Sequence, residues 1–359
     1  MIRRDFKSIV VFYVQIILVW VIGWSLFFFI RQVGIDDFLY VEFIQEPKRV
    51  LQISIHMALG LATGIVYATL ELIFEKDYFQ KKSDGYLMLI KMLTYQMMAC
   101  MLLAFTLTGY HLEMYGEIKW DKFLKWLMSY TFLAGLMHFF LISFLISFVR
   151  QINYKFGPGI LWNMLKGKYH HPREEERIFM FLDLRASTTI AEKLGHLRFS
   201  QFIQDCFFDL TDIIILHKCD IYQYVGDEVI LSWKVGNGLE NNHCVAFYFD
   251  FMNKLKNRKG YYQMTYDTQP FFKAGIHLGK VAVAEVGVIK KEISYYGDVL
   301  NTAARIQGRC NEFDQGLLIS KKLKDVITFS NKFKVKEMGV QLLRGKEMEV
   351  TIFGIEKMN

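Results

Sequence analysis

The sequence predicts a two-part fold: an all-α membrane unit of four spanning helices, followed by a soluble domain of mixed strands and helices. Three observations carry this. The chain of 359 residues is 53% hydrophobic, with a mean hydropathy of +0.19, high for a purely soluble protein. Its apolar residues are concentrated in long uncharged runs before residue 150. Beyond residue 177 short apolar runs of strand length alternate with helical patterns and turn signals.

Residues 9–30 hold no charged side chain, and at 1.5 Å per residue they make about 33 Å of helix, enough to cross a hydrocarbon core of roughly 30 Å. The run is too long and too aromatic for a signal-peptide core, so it is expected to remain as an anchor. Three further spans are predicted at residues 50–74, 87–109 and 126–149, which sets the membrane unit at residues 1–150.

Basic residues assign the sides. Arg3, Arg4 and Lys7 precede the first span, Lys76, Lys81 and Lys82 lie between the second and third, and Arg150, Lys155, Lys166 and Lys168 follow the fourth. With four spans all three groups fall on one side, so a multi-pass protein of the inner or plasma membrane is expected, with its N-terminus and C-terminal domain cytoplasmic. Much of the net charge of +7 sits in these flanks, where anionic lipid headgroups are its natural partner; a nucleic-acid role is excluded. The five cysteines show no CxxC or Cys/His ligand spacing, so neither a disulfide framework nor a zinc site is indicated.

Within the spans, Glu71 and Lys91 sit at similar depth and either pair or snorkel to the interface. His56 is placed near the outer face and His138 near mid-span, depths that argue against a shared haem. No polar cluster names a transported solute. The unit is then an anchor or a receptor for an unknown ligand. Residues 151–176 form a cytoplasmic linker, where the Gly157-Pro158-Gly159 break precedes a short apolar stripe through Trp162 that reads as a coupling helix or a passive spacer.

The soluble domain, residues 177–356, opens with Ile178 to Leu184, an apolar run ending in Asp183-Leu184. Ser187, Thr188 and Thr189 then start a long helix through Leu216, leaving backbone N–H groups at the turn free to face an anion. Residues 220–225 and 228–233 form a hairpin with Gly226-Asp227 at its tip. If that hairpin pairs beside the first strand, Asp183 and Asp227 converge and can hold Mg²⁺ or Mn²⁺ through hard carboxylate oxygens. Two strands are expected at residues 271–279 and 281–287. Asp298 is the expected N-cap of a helix on which Asn301 and Arg305 share a face at i,i+4.

These residues resemble the catalytic domain of class III adenylyl and guanylyl cyclases, through FLDLRAST, YQYVGDEVI, AGIHLGKVAVAEVG, YYGDVLNTAARIQG and LRGKE, in the family's order from about residue 176 to 356. The resemblance implies an α+β ferredoxin-like fold with a βαββαβ core and an adenylate cyclase activity on ATP. It implies that Asp183 and Asp227, with the backbone carbonyl of Leu184, hold two Mg²⁺ or Mn²⁺ ions per active site, and that Asn301 and Arg305 orient and stabilise the transition state. Ala186, Ser187 and Thr188 match the phosphate-cradling turn, with Ala186 where glycine is frequent, and Arg344 and Lys346 match the triphosphate-binding basic position. Gln223 and Ser294 occupy the base-selecting positions, departing from the family's usual pairs. A Gln amide serves adenine and can rotate to suit guanine, so guanylate cyclase activity is the alternative, as is a silent sensor or scaffold. In this family the metal acids and the Asn/Arg pair come from different subunits, which implies a homodimer.

Overall fold

The structure, a computed structural model, describes residues 6–30, 49–75, 83–115, 120–156, 166–289, 291–341 and 349–358. The chain divides into two compact units, Met1–Lys155 and Phe156–Asn359. The linker stripe around Trp162, the basic residues Arg344 and Lys346, and the loop lysines 76, 81 and 82 lie outside the described residues.

The first unit is helical: α1 (Phe6–Ile30), α2 (Arg49–Phe74), α3 (Asp84–Tyr115), the short α4 (Trp120–Leu127) and α5 (Tyr130–Phe156). Among the described residues four stretches are long and apolar enough to cross a membrane: Ile9–Ile30, Ile53–Phe74, Gly85–Phe105 and Phe132–Asn153. The fourth begins later than the 126 predicted. The chain breaks at Met128-Ser129, and the Ser129 hydroxyl accepts the Phe132 N–H at 3.3 Å, capping a new helix.

That shift also corrects the depths of the two histidines. With α5 starting at Tyr130, His56 and His138 each lie about two turns into their helices, and their rings lie 6.2 and 6.3 Å from the ring of Trp24. Small residues set the contact between α1 and α2. A Cβ on Gly60 would fall 2.6 Å from the Val21 Cα, and one on Gly64 2.6 Å from the Ile17 Cα. This Gly60-xxx-Gly64 spacing lets the two backbones approach closely where no hydrophobic drive between helices exists.

Glu71 and Lys91 do not snorkel; they pair inside the bundle. Glu71 is fully buried. It accepts from Lys91 Nζ at 2.8 Å and from the Tyr95 hydroxyl at 2.7 Å. Arg150 Nε lies 3.3 Å from the same carboxylate, and the Arg150 guanidinium also pairs with Glu75. One carboxylate thus ties α2 to α3 and α5, since an isolated charge there would be costly.

The second unit is an eight-stranded sheet in the order β2-β3-β1-β4-β6-β8-β7, with β5 on β4. Its strands are β1 (Arg173–Leu184), β2 (Asp220–Val225), β3 (Glu228–Lys234), β4 (Phe272–Val286), β5 (Glu292–Tyr296), β6 (Leu317–Ser320), β7 (Phe333–Gln341) and β8 (Val350–Lys357). The main helices are α6 (Ser187–Leu216), α7 (His243–Asn257), α8 (Lys259–Tyr266) and α9 (Asp298–Gly308). The order β1-α6-β2-β3-α7-β4 and the antiparallel pairing of β1 with both β3 and β4 make the expected βαββαβ core.

β1 is buried on both faces, which is why its sequence reads as a continuous apolar run. Ile178, Met180 and Leu182 pack with Phe202 and Leu210 of α6 and Phe247 and Phe251 of α7. Phe179 and Phe181 face the other way, against Val281 of β4 and Val299 and Ala303 of α9. Residues 272–286 form one strand where two were expected. The intervening Gly279 makes no turn: a Cβ there would strike Val299 at 2.6 Å, so the glycine admits α9. Gly275 does the same more tightly, its Cβ position lying 2.2 Å from the Gln307 N.

Gly60→Ala and Gly64→Ala should each lower the thermal stability of the chain in lipid nanodiscs by roughly 1–3 kcal/mol, because backbone must move to admit the methyl. Gly135→Ala should be tolerated, since its Cβ would meet only the Leu103 side chain at 3.5 Å. Equal melting of all three variants and the parent would contradict this packing.

Candidate active site

Asp183 is the next-to-last residue of β1 and continues the face that carries Phe179 and Phe181. Across the ladder it is opposite Glu228 of β3 and Lys273 of β4. The β2–β3 turn places Asp227 beside it. Gly226 holds that turn at φ 62°, a left-handed conformation glycine adopts freely. The predicted convergence of the two acids is therefore observed, within hydrogen-bonding reach of each other.

One oxygen of Asp183 is claimed from two sides. Lys273 Nζ lies 3.2 Å from Oδ2, and Gln307 Nε2 donates to the same atom at 3.0 Å. Asp227 Oδ2 is buried and, among the described residues, has no hydrogen-bond partner. Burial and the neighbouring Asp227 hold Asp183 above the usual carboxylate range despite Lys273. Burial, with Asp183 and Asp227 close by, pushes Glu228 up to about 7. Among the described residues no group of three or more Asp, Glu, His or Cys side chains is arranged to hold a metal ion. Two carboxylates alone would leave coordination positions open to ligands from elsewhere, as Mg²⁺ sites commonly do.

Ala186 has φ 57° and ψ 33°, left-handed values that cost an alanine roughly 1 kcal/mol. Ser187 and Thr188 follow as the first residues of α6, where the N–H groups have no acceptor within the helix. The left-handed residue turns these donors at the end of β1, next to Asp183 and Leu184 in sequence.

Asn301 and Arg305 are not brought to the acids of their own chain by the side of α9 that packs. That side carries Val299, Thr302, Ala303, Ile306 and Gln307. Asn301 is exposed and Arg305 half-buried on the remaining face, and among the described residues neither side chain has a hydrogen-bond partner. Gly297, not Asp298, is the N-cap; Asp298 sits in the first turn, where it accepts from the Thr302 hydroxyl at 3.1 Å. Gln223 is an exposed residue at a bulge in β2. Ser294 is half-buried on β5 opposite Ala284.

Lys273 and Gln307 were not singled out by sequence. Lys273 interrupts the apolar alternation of β4, and Gln307 breaks the apolar inner stripe of α9. Both interruptions are visible signals once the faces are known.

The raised acids make stability depend on pH. Between the ordinary glutamate range near 4.5 and about 7, the folded chain holds a proton on Glu228 that the unfolded chain has lost, and the raised Asp183 acts in the same direction, so stability falls as pH rises through that window. Without divalent cations, the melting temperature should drop between about pH 5.5 and pH 8, and Mg²⁺ should raise it more at the higher pH. Glu228→Gln should flatten the cation-free profile; an unaltered slope in that variant would contradict the assignment.

Residues 170–356 match the model of the adenylate and guanylate cyclase catalytic domain. The chain is 29% identical over 210 residues to adenylate cyclase 2 of Rhizobium meliloti (strain 1021), covering 58% of each. It is 21% identical over 181 residues to an adenylate cyclase of Anabaena cylindrica, covering 49% of this chain and 36% of that one. The chain thus spans little over half of the first relative and about a third of the second. Two structures of a bacterial light-regulated adenylyl cyclase share the fold. One has a TM-score of 0.51 at 18% identity over 60% of this chain and 62% of that one; the other has 0.50 at 19% identity over 59% and 61%. With the strand order, the paired acids and a family match across more than half its length, this chain belongs to the adenylate and guanylate cyclase catalytic domain family.

Proposed function

We propose that this chain is a membrane-anchored adenylate cyclase, converting ATP to 3′,5′-cyclic AMP and pyrophosphate in a homodimer with two shared active sites. The observation that carries the reading is the separation of two half-sites on one chain. Asp183 and Asp227 lie together beside Gln307, on the packed side of α9, while Asn301 and Arg305 stand on its other side, without hydrogen-bond partners among the described residues.

A buried Asp227 oxygen with no proton donor, next to a second carboxylate that it repels, fits a hard divalent cation. Asp183, Asp227 and the Leu184 carbonyl would hold Mg²⁺ or Mn²⁺, two per site. When bound, such ions neutralise the triphosphate and lower the pKa of the ribose 3′-hydroxyl.

The chain's own residues do the rest by position and charge. The turn at Ala186, Ser187 and Thr188 offers backbone N–H groups to phosphate oxygens. Lys273, already beside Asp183, adds a cation on the same side, and Arg344 and Lys346 are assigned to the triphosphate. Asn301 of the second copy would orient the ribose. Arg305 of that copy would offset the negative charge that builds as the bond to pyrophosphate breaks and the 3′-oxygen bonds to the α-phosphorus. The Gln223 amide would donate to adenine N1 and accept from the N6 amine, with Ser294 as a further acceptor. Both relatives are named as adenylate cyclases, which supports ATP over GTP.

The four apolar helices support a multi-pass membrane protein. The distribution of Lys and Arg supports a cytoplasmic N-terminus and catalytic domain, and in the proposed dimer the bundle would help hold the two copies together.

Asp227→Ala and Arg305→Ala should each lower cyclic AMP formation by about 10²–10³. Co-expressed, they should regain up to about a quarter of parental activity, because half of the dimers then carry one intact site of two. Failure of the pair to complement would overturn the shared site. Product from GTP but not from ATP would overturn the base assignment.

A further inference from the structure

The strands that carry Gln223 and Ser294 share no hydrogen bond. Among the described residues β2 pairs only with β3 and β5 only with β4, and β1 stands between those two partners. The side chains next to them nevertheless meet. The rings of Tyr222 and Tyr295 touch edge to face with centroids 4.9 Å apart, and Tyr295 also packs on Phe179 of β1 at 5.2 Å. β2, at one end of the sheet, and β5, which branches from β4, therefore meet across β1 through side chains and not through the ladder.

Arg177 of β1 lies between them. Its side chain is only 4% exposed. One terminal nitrogen donates to the Tyr295 hydroxyl at 2.8 Å; the other donates to Asp220 Oδ2, at the start of β2, at 2.5 Å. The guanidinium carbon lies 5.0 Å from the Tyr295 ring centroid. Among the described residues buried Nε has no acceptor, so the terminal nitrogens make the guanidinium's hydrogen bonds. A buried guanidinium is costly and an apolar side chain would pack as well, so stability alone does not explain it. Its rigid fork does what an apolar residue cannot: it fixes two partners at a set separation.

The same fork reaches back along the chain. Glu175 lies 3.5 Å from Arg177 and accepts from Lys168 Nζ at 3.1 Å and from the Tyr169 hydroxyl at 3.0 Å. The Tyr169 carbonyl in turn accepts the Glu285 N–H of β4 at 2.8 Å. Residues 168 and 169 belong to the segment by which the chain enters this unit.

We infer that Arg177 is a positioning residue for the nucleotide base. By bridging Asp220 and Tyr295 it sets the distance between Gln223 and Ser294, and through Glu175 it ties that distance to the entering segment. The inference rests on the proposed reading of Gln223 and Ser294 as the base-contacting pair. A displacement of Lys168 and Tyr169 is then felt at the base rather than at the metal acids.

The test uses the full chain in nanodiscs with Tyr295→Phe, Asp220→Asn and Arg177→Lys, the last keeping the charge and losing the fork. KM and kcat are measured with ATP and GTP, and affinity is measured with fluorescent mant-ATP and mant-GTP. Each variant should raise the KM for ATP and weaken mant-ATP binding by about fivefold, with an altered ATP to GTP preference. kcat should stay within about twofold of the parent. If Arg177→Lys does not fold, Tyr295→Phe, which removes one hydroxyl, carries the test. Unchanged affinity and preference in the folded variants would overturn the inference, as would a loss confined to kcat. A parent that makes no cyclic nucleotide, while the variants still bind mant-ATP more weakly, would overturn the proposed reaction and leave the positioning role standing.

Discussion

The repulsion between Asp183 and Asp227 is the constraint on which the catalytic unit turns. Two carboxylates left to themselves would separate, and here neither has room to do so. β1 is paired on both edges and buried on both faces, so Asp183 cannot swing out. The left-handed Gly226 fixes the tip that carries Asp227. Lys273 and Gln307 hold one Asp183 oxygen, yet an Asp227 oxygen stays buried without a donor among the described residues. Protons on Asp183 and Glu228 partly relieve the clash, and a divalent cation would relieve it fully. The strain is stored where chemistry on a triphosphate would need positive charge.

α9 connects this strained pair to the rest of the molecule. Gly275 and Gly279 remove the two side chains that would hold the helix off β4, so its inner face descends onto the sheet and Gln307 reaches Asp183. The outer face is thereby fixed as well, with Asn301 and Arg305 a set rotation away from the acids. In the proposed dimer the helix would be at once a wall of one active site and the donor of charge to the other. In the first unit a single buried carboxylate has a comparable tying role, with Glu71 joining α2 to Lys91 and Tyr95 of α3 and to Arg150 of α5.

What was legible in the sequence was local. The acid ending β1, the Gly-Asp tip and the i,i+4 pair of α9 are each encoded within a few residues, and periodicity placed them on the elements now observed. The four apolar helices were legible for the same reason. What was not legible depends on which faces meet. Lys273 and Gln307 look like ordinary interruptions of an apolar stripe until the sheet register sets them beside Asp183. Gly279 reads as a strand break, because its reason is the Val299 side chain of a later helix. His138 was set at mid-span because nothing in the run 126–149 marks Ser129 as a cap. The Arg177 bridge joins residues 43 and 118 positions apart, a meeting across β1 that no local pattern announces.

The central claim is that Asp183 and Asp227 together make a cation site, and Mn²⁺ titration followed by electron paramagnetic resonance tests it without relying on turnover. The full chain in nanodiscs, with a non-cyclisable ATP analogue, should bind Mn²⁺ with the signal loss of an ordered site. Asp183→Asn and Asp227→Asn should each weaken that binding by at least about tenfold. Mn²⁺ binding of parental strength in both variants would contradict the account.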